Sequence, residues 1–185
     1  MVESNLTIMT VLDRLSDDHR RFADVIGVLR SLAEQLEVGD DTLVFDDGQA
    51  LAGQLRDYEE GWHHPAEQVL FDALADFSLE PEVAGALRRA AAEHESIETA
   101  AWRIAEDVEQ IESGALGEVS ALREAIVEFC DSQSAHMNEE EEVIFGAALQ
   151  YLDANAWQRV SATLGELQAI RKSVDFDWPQ PAEDL

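Results

Sequence analysis

Apolar residues recur at alternating steps of three and four through four long stretches of this chain, a period that only helices can bury on one side. The first seam runs Leu12, Leu15, His19, Phe22, Ile26, Leu29, Ala33 and Leu36. The second, less regular, reads Leu55, Glu59, His63, Glu67, Leu70, Leu74 and Phe77. The third holds Val83, Leu87, Ala90, His94, Ile97, Ala101, Ile104, Val108 and Ile111, and the fourth Leu122, Ile126, Phe129, Gln133, His136, Glu140, Val143 and Ala147. Glycine and proline interrupt this pattern sparsely, around Gly39, at Ser78 to Pro81, and at Gly114 to Gly117. The spacing therefore predicts helices over 8–37, 46–77, 81–112 and 118–152, with a shorter one over 154–170 capped by Asp153 or Asn155. Short loops between long helices imply antiparallel neighbours. The expected fold is all-α: an up-down-up-down antiparallel four-helix bundle with a short extra C-terminal helix. Residues 1–173 read as one bundle domain, and 174–185, with Pro179 and Pro181, as an extended tail. No strand pattern competes.

Each seam contains a histidine where an apolar residue belongs: His19, His63, His94 and His136. In an antiparallel hairpin, residues equidistant from the loop lie at the same height. The midpoint of His19 and His63 falls at residue 41, that of His63 and His94 between 78 and 79, and that of His94 and His136 at 115. All three midpoints lie in the predicted loops, so the four imidazoles are expected in one layer. Glu67 follows His63 by four and Glu140 follows His136 by four. A four-residue step turns a helix by only about 40° and rises about 6 Å, so each pair shares a face. Burying two carboxylates side by side is costly unless cations neutralise them.

The pattern is also an internal repeat: His, 43 residues, His-x-x-x-Glu in the first half, and His, 41 residues, His-x-x-x-Glu in the second. Val69-Leu70-Phe71 follows the first copy and Val143-Ile144-Phe145 the second. Two similar half-sites point to two metal ions. Imidazole and carboxylate donors without thiolate suit iron, manganese or zinc rather than calcium. Two histidines per metal with shared carboxylates suit a di-iron centre best, with zinc or manganese as lesser occupants.

Composition narrows the partners. Forty acidic residues face twelve basic ones, a net charge of -28 that repels phosphate backbones and excludes nucleic-acid binding. Cys130 is the single cysteine, so no internal disulfide and no cysteine-based zinc or iron–sulfur site is expected. No run approaches the roughly 18–20 apolar residues of a membrane span. The N-terminal MVESNLTIMTVLDRL lacks a basic leader region, so a cytoplasmic location is expected.

Over roughly 8–165 the chain resembles the hemerythrin-like, HHE cation-binding family. The carrying residues are Asp18-His19, His63-His64-Pro65-Ala66-Glu67 with Leu70-Phe71, Glu93-His94, and His136-Met137-Asn138-Glu139-Glu140 with Ile144-Phe145. The resemblance implies a four-helix bundle around a non-haem di-iron centre with an oxo or hydroxo bridge. It places His19 and His63 on one iron, His94 and His136 on the other, and Glu67 and Glu140 across both. Oxygen-carrying hemerythrins have a fifth histidine one turn after the third-helix histidine, where this chain has Glu98. Members that repair iron–sulfur centres have an additional cysteine-containing N-terminal domain that this sequence does not show. Neither oxygen transport nor cluster repair is therefore expected to carry over.

Several neighbours of these residues stay open at this point. Glu98, four after His94, either completes one metal or flanks the seam. His64 sits about 100° around the helix from His63 and is expected outside the ligand set, as an outer partner or on the surface. Glu141, at i+5 from His136, is the alternative to Glu140. Pro65 removes a backbone donor and should distort the second helix at the site. Tyr58 and Trp62 read as bundle core, and Cys130 as a buried structural thiol. The expected function is a non-haem di-iron protein that binds or reduces a small ligand (dioxygen, nitric oxide or peroxide) with an unidentified electron donor. The alternative is iron or oxygen sensing, or iron storage, without turnover. No residue is singled out as catalytic.

Overall fold

The computed structural model describes residues 2–38, 51, 53–112 and 119–171. They form five helices: α1 (Val2–Val38), α2 (53–75), α3 (Pro81–Glu112), α4 (119–151) and α5 (Ala154–Arg171). Among the described residues there is no strand, and no helix is long and apolar enough to cross a membrane. The predicted tail at 174–185, residues 46–50 of the second predicted helix, and most of the two longer loops lie outside the described residues.

The apolar seams do become the core. Leu15, Phe22 and Leu29 from α1 meet Leu55, Leu70 and Leu74 from α2, Ile97 and Ile104 from α3, and Leu122, Ile126 and Phe129 from α4. α1 packs on α4, α4 on α3, and α3 on α2, while α5 closes over α1 and α2. Trp157, Val160 and Leu164 are the buried face of α5. Its N-terminus is held by Asp153, whose carboxylate accepts the Ala156 N–H at 2.8 Å, which selects Asp153 over Asn155 as the cap. An extended Leu152 (φ -75°, ψ 123°) separates it from α4. α1 starts earlier than its seam because residues 2–7 carry too few apolar side chains to show a period. Extending a formed helix through them costs far less than nucleating one.

Two irregularities sit at the heart of the bundle. Residues Glu59–His63 of α2 and Glu140–Ile144 of α4 each form one wide π turn. The His64 N–H reaches back five residues to the Glu59 carbonyl, and the Phe145 N–H does the same to Glu140. On α2 the cause is at hand: Pro65 cannot donate to residue 61, and its ring crowds that turn. A π turn adds a residue to the circuit, so more consecutive side chains can face inward. Accordingly Trp62, His63, His64, Ala66 and Glu67 are all buried, as are Glu140, Ile144 and Phe145.

Candidate metal centre

Four seam histidines converge with two carboxylates in the middle of the core. Glu67 and Glu140 are 0% exposed, and His19, His63, His94 and His136 are all buried. The imidazoles turn Nε2 inward. His19 Nε2 lies 3.2 Å from Glu67 Oε1, 3.4 Å from Glu140 Oε2 and 3.1 Å from His63 Nε2. His63 Nε2 lies 3.0 Å from Glu67 Oε1. Across the layer, His94 Nε2 is 3.4 Å from Glu67 Oε2 and 3.6 Å from Glu140 Oε1, and His136 Nε2 is 3.3 Å from Glu140 Oε1. Each carboxylate thus presents one oxygen to the His19/His63 side and the other to the His94/His136 side.

Three of the four outward nitrogens face carboxylates from other helices. His19 Nδ1 is 3.1 Å from Glu141 Oε1, and His136 Nδ1 is 3.0 Å from Glu93 Oε2. His63 Nδ1 is 3.5 Å from Asp18 Oδ2. Asp18 in turn accepts hydrogen bonds from the Tyr58 hydroxyl at 2.7 Å and the Trp62 indole N–H at 3.1 Å. Such outer partners set the ring orientation and the nitrogen left free for a metal. Tyr58 and Trp62 are core residues, as their spacing implied, and they also anchor this carboxylate.

Burial and charge act against each other here. Burial disfavours an imidazolium at His19, yet the adjacent carboxylates of Glu140 and Glu67 hold its pKa up at about 10. Glu67 and Asp18 push His63 up to about 9 against its burial, and Glu140 and Glu67 do the same for His94. Burial works to raise the Glu67 pKa, but the imidazoles of His63, His19 and His94 bring it well below the ordinary carboxylate range. Glu59, one turn before His63, is 0% exposed, and burial, only partly offset by His63, pushes its pKa up to about 8. Its Oε1 accepts a hydrogen bond from the Gln133 amide, while Oε2 is left without a partner.

The donor set fits a cation. Glu67 Oε2, His94 Nε2, His136 Nε2 and both Glu140 oxygens are buried and find no hydrogen-bond partner, although all face the same small volume. Orphaned buried polar atoms are rare in native interiors. One donor atom from each of His64, Glu67, His94 and His136 lies within 4.8 Å of the others, and so does one from each of His19, His63 and Glu67. Nitrogen and oxygen donors about 2.1 Å from a metal are separated by no more than about 4.2 Å, close to these spacings.

The structure brings together all six residues singled out from the sequence: His19, His63, Glu67, His94, His136 and Glu140. It also separates the open alternatives. Glu140 is inside, whereas Glu141 is 45% exposed and touches the outer nitrogen of His19. Glu98 does not join the inner donors; its Oε1 lies 2.8 Å from His64 Nδ1. His64 itself overturns the surface alternative: it is 5% exposed, and its ring stacks on His94 with centroids 3.9 Å apart. Burial, reinforced by the neighbouring His94 charge, drives its pKa down to about 2. The signal that could have found it is Pro65, whose missing donor shifts the turn that turns His64 inward. Glu59 and Gln133 were legible as seam positions, but nothing in their own helices paired them. Cys130 is buried, its thiol 3.8 Å from the Ile26 carbonyl and pushed up to about 11 by burial, so it is a packed, unreactive group.

A helical bundle whose apolar core is interrupted by one layer of opposed imidazoles and carboxylates is built as a cation-binding domain. The family model of the hemerythrin HHE cation-binding domain matches residues 10–148, and the chain belongs to that family. No curated protein and no solved structure matches the chain.

Proposed function

We propose that this bundle holds two metal ions side by side, iron by the chemistry of its donors, and that the loaded centre binds a small ligand. The observation that carries the reading is the splayed placement of Glu67 and Glu140, each with one oxygen toward each histidine pair. A single ion could not use both oxygens of both carboxylates and all four Nε2 atoms without collapsing the layer. In this reading His19 and His63 would hold one ion and His94 and His136 the other, with Glu67 and Glu140 each offering an oxygen to both positions. Hard carboxylates and borderline imidazoles, with no thiolate, favour iron over softer-ligand metals. The four main helices run up-down-up-down, the order that sets the histidines of α1 to α4 at one height.

Iron held there supplies coordination positions and electrons for a small ligand such as dioxygen, nitric oxide or peroxide. The protein residues orient and shield: Phe22, Phe71 and Phe145 pack rings against the imidazoles, with Phe145 stacked on His19 at 5.6 Å. Asp18, Glu93 and Glu141 keep the imidazole Nε2 atoms directed inward.

Elemental analysis of protein purified under iron-replete expression, and again after anaerobic reconstitution, tests the reading. About two iron ions per chain with near-ultraviolet and visible absorption is the expected result. His136→Ala should lower metal content and melting temperature together, because the metal stabilises only the folded arrangement. No metal after reconstitution refutes the proposal, and colourless zinc at full occupancy refutes the choice of iron.

A further inference from the structure

Two adjacent histidines on one helix ordinarily diverge by about 100°, so one faces the core and its neighbour does not. On α2 both are inside. The π turn ending at His63 widens the circuit immediately before His64, and the two rings separate to centroids 6.0 Å apart. His63 lies edge-on to His19 at 4.9 Å, on one side of the layer. His64 stacks on His94 at 3.9 Å and meets His136 edge-on at 6.3 Å, on the other side. The neighbours have gone to different halves of the centre.

The remaining contacts of His64 match those of the other ring holders. Its Nδ1 is 2.8 Å from Glu98 Oε1, as His136 Nδ1 is 3.0 Å from Glu93 and His19 Nδ1 is 3.1 Å from Glu141. With Nδ1 engaged by a carboxylate, Nε2 is the nitrogen left free to bind a metal. A donor atom of His64 lies within 4.8 Å of donors from Glu67, His94 and His136. A merely structural buried histidine needs its polar atoms satisfied, but it does not need an outer carboxylate in the same arrangement as its neighbours.

We propose that His64 is a fifth imidazole donor of the centre, belonging to the position formed by His94, His136 and Glu67, and that Glu98 is the positioning carboxylate that fixes its ring. This rests on the two-metal reading above. The two positions are then unequal: three imidazoles on the α3/α4 side and two, His19 and His63, on the α1/α2 side. The position poorer in protein donors is the one that keeps room for an exogenous ligand. Glu98 acts on the metal only through His64.

Cobalt(II) is the probe, because its visible bands report the number and kind of donors. Metal-free parent, His64→Ala, His64→Gln and Glu98→Gln are titrated with cobalt against a competing chelator, with circular dichroism as the check on folding. His64→Gln keeps most of the side-chain volume and serves if the alanine variant does not fold. The expected parent result is two binding steps. Both His64 variants should weaken one step by tenfold or more, change the visible bands of that step, and leave the other step within about twofold. Added imidazole should restore the altered bands in His64→Ala. Glu98→Gln should weaken the same step, within the ten- to hundredfold range typical of lost outer partners. Two parent-like steps with unchanged bands in the folded His64 variants overturn the assignment of His64 alone. A parent that binds no cobalt overturns the two-metal reading, and the present proposal with it.

Discussion

Proton release on metal binding is the most quantitative consequence of the buried layer. In the protein without metal, His19, His63 and His94 have pKa values of about 10, 9 and 9, all raised by the buried carboxylates between them. All three are therefore protonated at pH 7. A metal needs the Nε2 lone pair of each, so loading at pH 7 should release about three protons per chain. Each proton displaced makes the overall binding constant rise about tenfold per pH unit, so three make it rise about a thousandfold per unit between pH 6 and 8. The rise should flatten above pH 9 to 10, where the imidazoles are already neutral. Stability without metal should run the other way. The folded pKa values exceed the ordinary histidine value of about 6.5, so protonation favours the fold. That contribution is complete below about pH 6.5 and is lost as pH rises through 9 to 10. The assay is addition of zinc, or of ferrous iron without oxygen, to chelator-treated protein in weak buffer containing an indicator dye. Thermal melts of the chelator-treated protein from pH 6 to 10 accompany it. Release of fewer than about one proton, or melting temperatures that climb from pH 8 to 10, would refute the argument.

Three further outcomes follow from neighbouring groups. Glu59 binds its proton more tightly in the folded chain (pKa about 8) than an ordinary carboxyl does, so its ionisation opposes folding increasingly from about pH 4.5 upward. Glu59→Gln should stabilise the chelator-treated protein by about 3 kcal/mol at pH 7 and by little at pH 4.5 in denaturant melts; equal effects at both would show that the carboxyl is not held neutral. Asp18→Asn leaves one oxygen to accept from both Tyr58 and Trp62 and removes the charge beside His63. It should lower metal affinity about 10- to 100-fold in chelator competition, and parent-like affinity would show that Asp18 is only a packing contact. Cys130 should resist alkylation at pH 8 in the folded protein and react once it is denatured; rapid labelling of the folded chain would contradict its burial.

The sequence by itself determined which residues lie on the inner side of each helix. A period of 3.6 is a property of one segment, so the seams, the four histidines within them, and the carboxylates four residues after His63 and His136 could all be read locally. Equidistance from the loops was enough to place the four imidazoles at one height. Tertiary structure alone decided what faces what across the bundle. Glu141 and Glu140 are neighbours on α4, and only the rotation of α4 against α1 puts one on the outer nitrogen of His19 and the other among the inner donors. The pairing of His64 with Glu98, and of Glu59 with Gln133, joins residues 34 and 74 positions apart, beyond the reach of any helical period. The two π turns change the angular count just where the donors sit, so a regular 100° step could not show that His64 is buried. A helix's pattern specifies the face it must bury; the partner elements and the local winding decide which polar atoms on that face meet.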